Sequence, residues 1–222
     1  MPNRQPSFFI ALFVALLLSA CAARQVSRDS DTAGDANTGV VAFAVTHDLG
    51  VQSGHNAIVY LDDGPISGGW AYQSYESPLP LYTRGSDYSD AVGYLYVISL
   101  PAGRHEFTSW QITDGGGLRI YPKKPVQRLA FDVKPGEIQY VGAFHAHVQQ
   151  GRNMFGWMAT HNGFIVTTDK SARDLSLLLK RYPKLQGKVA TTVVHAGVWG
   201  KVNDASTILE SPLPIPVPTN IK

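Results

Sequence analysis

The chain has 222 residues, a formal charge of +2 and a pI near 8.6, a balance too mild to argue for a nucleic-acid partner. Charged residues make up only 16%, while 21 glycines and 14 prolines punctuate the sequence, which predicts many short elements between turns and few helices. A single cysteine excludes an internal disulfide, so stability has to come from a hydrophobic core, and the chain is long enough to build one.

The first element is an apolar run, FFIALFVALLL over residues 8–18, preceded by a short polar start with Arg4 as its one charge. The run is too short to span a bilayer, which takes about 20 apolar residues, and small residues follow it at Ser19 and Ala20. That order predicts a secretory signal peptide over residues 1–20. Leu18-Ser19-Ala20-Cys21 resembles the lipobox of bacterial lipoproteins. The resemblance implies cleavage before Cys21, acylation of its thiol and of the new amino terminus, and a lipid bilayer as partner. Two or more acyl chains anchor stably where one does not. Ala22, in place of an aspartate, implies the outer membrane, with the domain facing the periplasm.

Residues 21–38 carry almost no large apolar side chain and read as a flexible tether. A β domain is expected over 39–210. Its strands open with VVAFAVTH (Val40 to His47) and AIVYLDDG (Ala57 to Gly64), the latter ending in a turn signal. Two β-rich runs then flank Pro101-Ala102-Gly103, and two more flank Pro135-Gly136, which suits a type II turn. In the last of these runs Ile138, Tyr140, Phe144 and Val148 are expected on one buried face. DKSARDLSLLLKRYP predicts one helix near 170–182: Asp169 or Ser171 as cap, Ser171 and Asp174 at capping-box spacing, and Leu175, Leu178, Leu179 and Tyr182 as one apolar stripe. A final strand, VATTVVHAGVW, follows, and residues 211–222 form a proline-rich tail. The fold class is therefore mainly β, an antiparallel sandwich with one amphipathic helix packed on it.

LPAGRHEF, FDVKPGEIQYVG and RDLSLLLKRYP together resemble a group of bacterial lipoproteins. Their core is similar to prealbumin-like (Ig-like) sandwich modules of the PEGA and carboxypeptidase-regulatory type. The resemblance implies a non-catalytic scaffold or binding element and brings no functional residue with it.

Among candidate sites, His145 and His147 stand at i and i+2 on a strand and so share a face, as a pair of metal ligands must. A zinc site needs a third ligand, and His161, on the returning strand near Val141, is expected about 13 Å away, too far to share an ion. The pair is thus a weak metal candidate, and exposed polar residues on a sheet are the plainer expectation. Asp87 to Asp90 read as a capped turn, and the glycine-rich Asp114 to Leu118 as a loop. No nucleophile elbow, HExxH motif or cofactor fingerprint occurs. Trp70, Tyr72, Tyr75, Tyr82 and Tyr88 crowd one stretch, a pattern with which β modules grip glycans or proteins. Two readings follow: an anchored envelope lipoprotein whose non-catalytic domain binds an envelope protein or glycan, or a periplasmic metal-dependent enzyme using His145 and His147.

Overall fold

A computed structural model describes residues 26, 37–50, 55–62, 69–75, 85–114, 118–152, 154–185, 189–200 and 205–208. The apolar run, Cys21, Tyr82 and the proline-rich tail lie outside the described residues. The chain is mainly β: β1 Thr38–His47, β2 Asn56–Leu61, β3 Trp70–Gln73, β4 Val92–Pro101, β5 Gly103–Thr113, β6 Arg119–Pro122, β7 Leu129–Val133, β8 Ile138–Arg152, β9 Met158–Thr168, β10 Val189–Thr191, β11 Gly197–Val198 and β12 Ala205–Ile208. Among the described residues one helix, α1 (Ser171–Arg181), follows β9.

The strands form two six-stranded sheets. In the first the order is β11-β9-β8-β1-β4, with β10 also on β8; in the second it is β12-β6-β5-β2-β3, with β7 also on β5. Between them lies a core to which both contribute: Val41, Phe43 and Val45 of β1, Val59 and Leu61 of β2, Phe107 and Trp110 of β5, Phe144 of β8, and Trp199. A second core sits on the outer face of the first sheet, where Val40, Ala42, Ala44, Leu95, Ile138 and Tyr140 meet Leu178 and Tyr182. β1 is therefore buried on both faces, which is why it reads as an unbroken apolar run rather than an alternation. Val26 packs on this outer core, and its N–H donates to the Val97 carbonyl of β4 at 3.1 Å.

The pairing is not wholly antiparallel. β1 and β10 both run parallel to β8. Pro101-Ala102-Gly103 and Pro135-Gly136 are turns as expected, Gly136 with φ of +67°, but each joins strands of different sheets instead of closing a hairpin. The second turn delivers β8 alongside β1 in the same direction, and Gly136 and Val40 fix the junction through N–H bonds to Thr38 O and Glu137 O. The expected last strand divides into β10 and β11.

α1 packs its Asp174-Leu178-Tyr182 row inward, with Leu175 and Leu177 half-buried, while Leu179 is 43% exposed. Asp169 Oδ1 accepts the Ser171 N–H at 2.8 Å, so Asp169 holds the helix start. Asp174 closes no capping box: it is fully buried and accepts hydrogen bonds from the Tyr140 hydroxyl at 2.6 Å and the Arg173 Nε–H at 2.8 Å.

Candidate metal centre

The site is built where β1 ends beside β8. In the parallel register Thr46 lies opposite His145 and His47 opposite Ala146, so Asp48, the next residue, comes level with His147. One irregularity decides which way the histidines point. Ala42 pairs with Tyr140 and Phe43 with Gly142, which makes Val141 an extra residue in β8. Gly142 takes φ of +125°, a value that glycine adopts readily and other residues rarely do. The alternation changes phase there: Ile138 and Tyr140 face the helix, whereas Phe144 and Ala146 face the inter-sheet core. The expectation that Ile138, Tyr140, Phe144 and Val148 share one face is thereby corrected. His145 and His147 continue the helix-side face beyond the end of α1, half-buried rather than open on a polar sheet surface.

Asp48 joins them. His145 Nε2 lies 2.9 Å from Asp48 Oδ1, His147 Nδ1 lies 3.2 Å from the same oxygen, and one ligand atom of each residue falls within 4.8 Å of the others. In a tetrahedron with bonds of 2.0–2.1 Å the ligand atoms stand about 3.3 Å apart, so the three atoms need move little to enclose an ion. Thr46 Oγ1 lies 2.8 Å from His145 Nδ1, the outer contact that fixes ring orientation in metal-binding histidines. With a neutral ring, Nε2–H donates to Asp48 and Nδ1 accepts from the Thr46 hydroxyl; a bound ion would take the place of the Nε2 proton. The Val148 N–H reaches Asp48 Oδ2 at 3.3 Å, and the two imidazoles meet edge to face with centroids 4.7 Å apart.

The charges suit a cation. Burial opposes ionisation of Asp48, but the His145 hydrogen bond, the field of His147 and the Val148 N–H together hold its carboxyl below the usual carboxylate range. Burial pushes His145 down in spite of Asp48 beside it, which favours the neutral, ligating imidazole. His47, buried behind the site and 2.7 Å from Ser74 Oγ, is brought down to about 4, first by burial and then by His55 and His145. Its ring stays neutral and adds no competing charge.

A cleft of about 290 Å³ opens over the histidines, lined among others by Thr46, Thr168, Lys170 and Arg173. Arg173 is held there by Asp174, by Asp90 and by the Tyr88 ring 3.9 Å below its guanidinium carbon. His161 does not approach. β8 and β9 pair as far as Arg152 and Met158, which puts His161 beside the Gln149/Gln150 irregularity instead of near Val141.

The aromatic crowd is not one surface. Tyr72 is 5% exposed and packs in the inter-sheet core against Phe43 and Tyr96, while Tyr88 lies in the outer core under Arg173. Trp70 packs partly on the inter-sheet core at the edge strand β3, and Tyr75 is half-buried. Asp87 serves as a turn anchor: it accepts the Leu95 N–H and pairs with Arg181 of α1. Asp114 closes its loop on Leu118. Among the described residues no helix is long and apolar enough to cross a membrane. No protein family, curated relative or solved structure matches the chain.

Proposed function

We propose that the protein is a lipid-anchored component of the bacterial envelope whose β domain binds a divalent transition-metal ion through Asp48, His145 and His147. The observation that carries the metal is the convergence of three ligand atoms within 4.8 Å from a strand end and a strand that lie 97 to 99 residues apart. Two imidazoles and one carboxylate suit zinc, with copper, nickel and iron as competitors by ligand type. The anchor is supported by the lipobox-like Leu18-Ser19-Ala20-Cys21, and the scaffold role by the two sheets packed on one core. A prealbumin-like descent would have to accommodate the parallel pairing of β1 with β8. Three protein ligands leave a coordination position free, and Lys170 and Arg173 on the cleft rim favour an anionic group there. Such a group belongs to an envelope protein or glycan in this reading.

Zinc titration of the full chain against a chromophoric chelator tests it. One equivalent is expected to bind, and His147→Ala is expected to weaken binding about 100-fold. No binding by the native protein, or equal binding by the variant, sinks the proposal. The free position also favours a second reading, metal-dependent hydrolysis of an anionic ester, for which turnover of a phosphate ester by the zinc-loaded protein is the discriminating measurement.

A further inference from the structure

The long β8–β9 hairpin ends in a cluster that the folded core does not need. Met154 is 90% exposed, Phe155 73%, Trp157 72% and Met158 43%. β9 meets the edge of the second sheet at Thr160, whose hydroxyl lies 2.7 Å from the Nε2 of His55, the residue before β2. Beyond that level Gly151 pairs with Ala159 and Arg152 with Met158. Four large apolar side chains are thus presented on a narrow, convex end. Single exposed apolar residues are ordinary, but a contiguous group of this kind marks an interaction site.

Its shape and charge select the partner. A protein groove is possible chemistry for a convex tip, yet the whole hairpin from Ile138 to Thr168 contains no Asp or Glu. Its one permanent cation, Arg152, sits at the base of the cluster and donates from Nη1 to the Gly156 carbonyl at 3.0 Å. Tryptophan with flanking arginine is the composition of a bilayer interface, where the ring lies at headgroup depth, the apolar side chains reach the acyl boundary and the cation meets anionic lipid. We infer that the 154–158 tip is a membrane-docking element that inserts into the interface of an anionic phospholipid bilayer. The inference stands apart from the metal site and does not require acylation of Cys21.

The test uses the full chain on vesicles of phosphatidylethanolamine and phosphatidylglycerol with brominated acyl chains, which quench tryptophan at acyl depth. The chain has four tryptophans, so Trp157→Phe isolates the contribution of the tip. Quenching that disappears in Trp157→Phe, and that falls several-fold in Met154→Ser/Phe155→Ser, is the expected result. Replacing phosphatidylglycerol by phosphatidylcholine should weaken it as well. Quenching that is absent, or that persists unchanged in Trp157→Phe, overturns the inference. Shielding of Trp157 from acrylamide without quenching by bromine also overturns it, in favour of a protein partner or a second copy. Because the readout belongs to Trp157, failure of the tip is separable from failure of the anchor or of zinc binding.

Discussion

Tyr140 and Asp174 tie the helix to the sheet through one hydrogen bond of 2.6 Å inside the outer core. A hydrogen bond to a buried, charge-capable group is worth about 2 kcal/mol, so Tyr140→Phe should lower stability by about that much in urea unfolding at neutral pH. Burial first, and the Asp174 charge next, push the Tyr140 hydroxyl far above its ordinary value. The unfolded chain releases this proton near pH 10, the folded chain only at higher pH. The folded state therefore holds the proton more tightly, and its contribution is whole below about pH 10 and lost as pH rises beyond. Unfolding measured across that alkaline range should show a decline that is shallower in Tyr140→Phe. An equal decline in both proteins contradicts the assignment to Tyr140.

β8 is the element on which the site depends, and its bulge is the feature to break. Gly142→Ala places a side chain at φ of +125°, although the nearest heavy atom, Thr167 Cγ2, is an ordinary 3.4 Å from the new Cβ. The cost is backbone strain of about 1–3 kcal/mol. If the strand relieves it by losing the bulge, His145 and His147 turn towards the inter-sheet core. Gly142→Ala should then weaken zinc binding more than tenfold while the melting temperature drops by only a few degrees. Unaltered affinity would show that the bulge does not set the direction of the histidines. This element also explains what could be read beforehand. The His145–His147 pair was legible because strand periodicity is local. Asp48 was not, because a parallel neighbour reached through some ninety residues of chain leaves no short-range trace. The phase change at Val141-Gly142 was invisible for a related reason: a glycine inside an alternating run does not announce whether it is a bulge. The turns at Pro101-Ala102-Gly103 and Pro135-Gly136 were legible as turns, since proline and glycine fix local dihedrals. Which sheets they join is decided by burial on both sides of β1, a property of the assembled fold.

For the molecule as a whole, the metal should act as a folding ligand, because Asp48 and the histidines meet only when β1 and β8 are paired. At a hundredfold excess of free zinc over Kd the gain is about 2.7 kcal/mol. For a domain of this size that raises Tm by about 5–10 °C. A calorimetric scan with zinc, then with chelator, should show the rise and its reversal, and no shift in Asp48→Asn. The mainly β character and the reliance on a core without disulfides were legible from composition, since apolar patterning and residue counts are global quantities. The buried fates of Tyr72 and Tyr88 were not, because tyrosines of one short stretch went to two different cores, Tyr72 between the sheets and Tyr88 on the helix side.

The bond between Val26 and Val97 shortens the leash. Cys21 precedes Val26 by five residues, a reach of at most about 18 Å. Val97 stands level with Ala42 and so with Tyr140, twelve residues before Arg152, or about 40 Å along β8 from the aromatic tip. If an acyl group on Cys21 and the tip share one bilayer, the strands can incline to its plane by no more than roughly 30°. The domain then reclines along the membrane like a hull moored at two points, and its working radius above the surface is set by its own girth.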